Sequence, residues 1–110
     1  MVSSSKRDGV FIIALAGKLM GDDTNDFYQV IGQAATENIK SVVLDLKDVD
    51  WINSTGLGMI IAGSARVRDM GGTLKLAQPN DSISKVLTLN RLHQIFEIHP
   101  TIEAAIASFK

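Results

Sequence analysis

Short apolar runs of strand length alternate with segments of helical periodicity along almost the whole chain, and that alternation admits few folds. Val10 to Ala16 is a continuous run rich in β-branched and apolar residues, as in a strand buried on both faces. Phe27, Val30, Ile31, Ala34 and Ala35 then recur at helical spacing. Residues 41–46 return to alternation, with Val42, Leu44 and Leu46 on one face and Val43 and Asp45 on the other. Leu57, Ile60, Ile61, Ser64 and Val67 mark a central helix over 55–70, closed by Gly71-Gly72. Strand 73–77 follows, then a helical stripe at Ile83, Val86 and Leu87, and a short strand at 95–98. The last helix shows Ile102, Ala105, Ile106 and Phe109, with Pro100 where a first turn accepts proline.

Local punctuation agrees with this division. Residues 1–7 read as a polar edge strand or a frayed end. Asp8-Gly9 is a two-residue hairpin signal, because both residues tolerate positive φ. The segment 17–23 reads as a loop, with Asp22, Asp23 and Thr24 as caps. Asn38 reads as a left-handed stop, Pro79-Asn80-Asp81-Ser82 as a turn and cap, and Asn90 as a helix end. The resulting order is ββαβαβαβα. It predicts an α/β fold: a mixed, mostly parallel sheet of about five strands with four helices, in a single domain over 1–110. Strand–helix–strand crossovers share one hand, so strands added successively to one side put every crossover helix on one face. Asp45 and Lys75 then belong to a wetter opposite face, where they are expected to form a solvated cross-strand pair.

Composition removes several kinds of chemistry. The absence of cysteine excludes disulfides, thiolate metal sites and cysteine nucleophiles. A net charge of −1, from 11 basic and 12 acidic residues, gives no basic surplus for nucleic acid or anionic lipid. The first residues lack the apolar core of a signal peptide, and the longest apolar run is too short to cross a bilayer. The expectation is a cytoplasmic protein that stands free, beginning at Met1 and ending just past its last helix.

Chemistry is concentrated at Asn53-Ser54-Thr55-Gly56-Leu57-Gly58, where a strand hands over to a helix. A helix start carries unpaired N–H groups and a partial positive charge. Ser54 there is either a cap or a comfortable place for a phosphate. A catalytic serine needs a base, and the only histidines, His93 and His99, lie near the last strand. The Gly-x-Ser-x-Gly elbow is missing. Gly56 and Gly58 have no third glycine to complete a dinucleotide fingerprint, and no Gly-Lys-Ser/Thr exists. Asp22, Asp23, Asp26, Asp48 and Asp50 lack calcium-loop spacing. No cofactor or metal is therefore expected, and a Ser54 hydrolase is the enzymatic alternative to a non-enzymatic role. Partner binding fits better. On the helix wheel Gly58, Met59, Ala62, Arg66 and Asp69 lie opposite the apolar stripe, and methionine and arginine suit contact surfaces. Arg68 falls toward the inner side and is expected to snorkel outward.

Asn53 to Gly58, preceded by Val42-Val43-Leu44-Asp45-Leu46 and Val49-Asp50-Trp51-Ile52, resembles the signature of the STAS domain, most closely that of the bacterial anti-sigma-factor antagonists. Leu15-Ala16-Gly17-Lys18-Leu19, Gly71-Gly72-Thr73-Leu74 and Pro100 to Ala105 extend the resemblance over nearly the whole chain. It implies a STAS fold and a non-enzymatic partner switch. Unphosphorylated antagonist binds an anti-sigma factor that is also a histidine-kinase-like serine kinase, and so frees the sigma factor. Phosphorylation abolishes binding, and a PP2C-type phosphatase restores it. The matching acceptor is Ser54, with Thr55 less favoured. The implied contact set is Asn53, Ser54, Thr55, Gly56, Gly58, Met59, Ala62 and Arg66, on a monomer or weak dimer with no nucleic-acid or membrane partner. Asn53 stands where the family usually has aspartate, and Met20 where members often carry an acid. A second family role, an unphosphorylated interaction subunit of a regulatory or transport assembly, stays open.

Overall fold

The structure is a computed structural model that describes residues 1–110. Its elements are β1 (Val2–Arg7), β2 (Val10–Leu19), α1 (Thr24–Thr36), β3 (Ser41–Ile52), α2 (Ser54–Asp69), β4 (Thr73–Ala77), α3 (Asp81–Leu89), β5 (Ile98–His99) and α4 (Ile102–Ala107), with a 3-10 turn at Leu92–Gln94. The expected order holds, and the five strands lie side by side in chain order. β1 runs antiparallel to β2, and every later pairing is parallel. Asp8 and Gly9 both take positive φ, at 54° and 78°, so the hairpin closes as their sequence requires.

A large core on one face joins Phe27, Ile31 and Ala34 of α1, Leu57, Ile60 and Val67 of α2, and Ile83 and Leu87 of α3 to Ile13, Val42, Leu44 and Leu76 of the sheet. The three crossover helices thus share one face, as successive addition of strands requires. α4 follows the last strand and is free of that rule. It packs on the opposite face, where Ile102, Ala105 and Ile106 meet Val10, Ile12, Val43 and Ala77.

That placement overturns the expectation of a wet second face. Lys75 is only 6% exposed. Its register partner is Val43, and that of Asp45 is Ala77, so the Asp45–Lys75 pair does not form. Lys75 Nζ instead donates to Ser108 Oγ at 2.9 Å and to the Ser108 carbonyl at 3.2 Å. It also lies 3.2 Å from Glu97 Oε2 and 4.3 Å above the Phe109 ring. A lysine can sit under a helix when its head group is saturated in this way. Asp45 accepts from Gln78 Nε2 and from the Lys47 N–H, both at 3.0 Å.

Three element boundaries also differ from expectation. β2 does not end at Ala16. The register shifts between Ala14 and Ala16 and again between Gly17 and Lys18, where Gly17 has φ 83°, and pairing then resumes to Leu19. Each shift is one extra residue on β3, so a glycine that reads as a break instead stays within the strand, beside a bulge in its partner. β3 runs on past Leu46 to Ile52 because the prolonged β2 supplies partners. The strand expected at 95–98 is mostly absent. Arg91 turns left-handed at φ 60°, and the 3-10 turn sends Leu92 and Phe96 into the core while Ile95 stays exposed. Only Ile98 and His99 pair with β4.

Candidate functional site at the start of the central helix

The prolonged ends of β2 and β3 carry the Asn53–Gly58 segment. The Asn53 N–H donates to the Leu19 carbonyl at 3.1 Å, and the Asn53 side chain accepts the Gly56 N–H at 2.9 Å. Asn53 is therefore the cap of α2, and Ser54 is its first helical residue. Of the two roles open to Ser54, capping is taken by its neighbour. Ser54 and Thr55 are exposed, and no hydrogen bond engages the Ser54 hydroxyl. The first-turn amides of Ser54 and Thr55 remain directed outward at the positive end of a 16-residue helix. Thr55 packs its methyl against Gly21 in the β2–α1 connection.

Several expected contact residues share this surface. Asn53 is half-buried, Gly58 exposed and Ala62 half-buried. Ser54, Gly58 and Ala62 follow at four-residue spacing and line one helix face. Arg66 is exposed, with its guanidinium 3.8 Å above the Tyr28 ring. Arg68 is exposed, as the snorkelling expectation requires.

Two expected contacts are corrected. Gly56 and Met59 are buried, and Met59 belongs to the main core. Ile61, assigned to the inner face, is exposed instead. The helix is rotated relative to the wheel expectation, and the glycines explain why. A Cβ on Gly56 would collide with the Leu19 carbonyl, and one on Gly63 with the Phe27 ring. These glycines admit the closest approach, so their side of the helix turns inward and carries Met59 with it.

Trp51 and Met20 join the exposed surface beside this loop, although the sequence pattern did not mark them as contacts. The available signal was alternation: Ile52 and Leu19 face the core, so their chain neighbours face away. Charge around the loop is mixed. Lys18, Asp22, Asp48 and Asp50 are exposed, and none is in an ion pair.

The site offers a free hydroxyl at a helix start, with no base bonded to it. His99 sits on β5, two strands away from β3, and its Nε2 lies 3.2 Å from Glu97 Oε1. No three His, Asp or Glu side chains converge on a point that would hold a metal ion, and no helix is long and apolar enough to cross a membrane.

The family model for the STAS domain matches residues 2–105. BtrV of Bordetella bronchiseptica, described as a candidate anti-sigma factor antagonist, is 27% identical over 109 residues, covering 99% of this chain and 94% of BtrV. The anti-sigma F factor antagonist of Paenibacillus polymyxa is 27% identical over 93 residues, covering 83% of this chain and 79% of that protein. Among solved structures, TM1081 of Thermotoga maritima, described in the same terms as BtrV, matches with a TM-score of 0.84 at 26% identity, over 97% of this chain and 92% of that chain.

Proposed function

The chain belongs to the STAS domain family, and from that membership we propose that it is an anti-sigma-factor antagonist switched by phosphorylation of Ser54. In the unphosphorylated form it binds an anti-sigma factor of the histidine-kinase-like ATPase type, through the Ser54 loop and the adjoining face of α2. Binding releases the sigma factor in the cytoplasm. The kinase then transfers the γ-phosphoryl group of ATP to Ser54 Oγ. The bond to the ADP oxygen breaks, an Oγ–P bond forms and the hydroxyl proton leaves to solvent. Hydrolysis of that ester by a PP2C-type phosphatase restores the binding form.

One observation carries the reading: Ser54 is exposed at the first position of α2 and is relieved of capping by Asn53. A phosphate adds about −1.5 to −2 charges near neutral pH. At this position it meets free amides and a favourable dipole, so the fold tolerates it. Covered by a partner without a matching cation, the same charge is costly to desolvate. The switch then acts on affinity, where a tenfold change takes about 1.4 kcal/mol.

The test uses the purified chain, ATP and the anti-sigma factor kinases of the source organism. Intact mass is expected to show one added phosphate that Ser54→Ala abolishes. Equal binding of wild type and Ser54→Asp to the kinase would sink the switch. Stable kinase binding with no phosphate at any stage would favour the unphosphorylated interaction subunit.

A further inference from the structure

We infer that Trp51 and Met20 form the apolar anchor of the partner-docking surface, and that the partner seats there an apolar side chain flanked by arginine or lysine. The inference rests on the antagonist reading above and names the chemistry of the partner's contact patch.

The register of the prolonged β2–β3 ribbon isolates these side chains. Leu19 pairs with Ile52, and both turn into the helix-side core at 1% and 6% exposure. The preceding pair, Lys18 and Trp51, turns to the other face of the ribbon. On that face α4 covers Val10, Ile12, Val43 and Ala77 at the opposite end of the strands. Trp51 lies outside that cover and stays 47% exposed, with Met20 at 41%. Together with Lys18 and Asp50 they line a shallow depression of about 390 Å³. Strand pairing would be served by any β-former at position 51. A half-exposed tryptophan beside a methionine is instead the composition of a contact centre.

Two observations fix the occupant. The ledge is continuous with the Ser54 loop: Trp51 lies at the end of β3 that leads into α2, and the Leu19 carbonyl next to Met20 holds the Asn53 N–H. A protein that covers Ser54 therefore reaches the ledge. The charges around the ledge are Lys18 and Lys47 against Asp22, Asp48 and Asp50, all exposed and outside ion pairs. The acidic excess matches a basic rim on the partner. A sealed Trp51 contact would also exclude water from the neighbouring Ser54, which is what makes a phosphate there costly.

Trp51 is the only tryptophan, so its emission reports on the ledge without a label. The full chain is titrated with each anti-sigma factor kinase of the source organism, in wild-type, Trp51→Ala, Trp51→Phe, Met20→Ser and Asp50→Lys forms, each first checked for a native circular-dichroism melt. The expected result is a blue shift of Trp51 emission on binding. Affinity falls at least tenfold in Trp51→Ala, less in Trp51→Phe, and measurably in Met20→Ser and Asp50→Lys. Tight binding with unchanged emission and an unaffected Trp51→Ala variant would overturn the ledge and leave the antagonist reading standing. Failure of wild type to bind or be phosphorylated by any of these kinases would overturn both.

Discussion

Asn53 Oδ1 accepts the Gly56 N–H at 2.9 Å, and this one bond makes Ser54 a free hydroxyl instead of a structural one. The motif keeps two tasks apart on adjacent residues. Asn53 closes the helix end, and the Ser54 hydroxyl is left exposed at the first helical position.

Removal of the cap is expected to show in stability. Asn53→Ala should cost about 1 kcal/mol by urea unfolding. Asn53→Asp keeps the acceptor and adds a negative charge at the positive end of α2, for a gain of about 0.3–1 kcal/mol at low salt. Ser54→Ala, at an exposed position without bonds, should stay within about 0.5 kcal/mol of wild type.

Ser54→Asp should separate affinity from stability. The carboxylate sits favourably at the helix start, so the unfolding midpoint should not fall. Binding to the kinase should weaken by a factor of about 10 or more, which corresponds to about 1.4 kcal/mol. Calorimetric titration and thermal melts on one preparation read both quantities.

The glycines of α2 should respond in opposite directions to alanine. Gly58 has open space where an added methyl would sit, so Gly58→Ala should stabilise the helix by about 0.5–1 kcal/mol. Gly63→Ala drives a methyl into the Phe27 ring and should cost about 1–3 kcal/mol. Gly56→Ala meets the Leu19 backbone carbonyl, which has less room to yield, and should lie at the upper end of that range or beyond. Denaturant melts of the three variants decide it.

The latch under α4 should be sensitive to acid. The hydrogen bond from Lys75, and then that from His99, holds the Glu97 carboxyl below its ordinary value near 4.5. A carboxyl whose pKa is lowered in the folded state contributes fully above its unfolded pKa. The contribution disappears as pH falls through the folded value. Glu97→Gln should therefore flatten the decline in melting temperature below about pH 5. Glu103, held down by Arg7, declines in the same direction and keeps the flattening partial. Lys75→Ala removes the donor to Ser108 and should cost about 1–3 kcal/mol, with faster amide exchange at 102–107 as its local signature.

Much of the fold was legible because its determinants are local. The Asp8-Gly9 turn, the left-handed Asn38 and the cap at Asn80 are all chosen by side chains within a few residues. The Ser54 loop was legible for the same reason, since a hydroxyl, an amide and glycines between a strand and a helix mark a helix start. The passage of β2 through Gly17 was not legible, because glycine ends a lone strand as readily as it sits inside a paired one. Only the partner strand decides between them.

The sequence by itself determined the order of strands and helices and the place of the Ser54 loop at a helix start, because periodicity and turn chemistry act over one or two turns. Tertiary structure decided which way each of those elements faces. The rotation of α2 was set by where Leu19 and Phe27 approach two glycines, and it buried Met59 while exposing Ile61. Lys75 was drawn under α4 by acceptors on Ser108 and Glu97, both far along the chain from it. Trp51 was left uncovered because the helix on its side of the sheet stops short of it. Such choices depend on contacts between residues far apart in sequence, and local pattern carries no information about them.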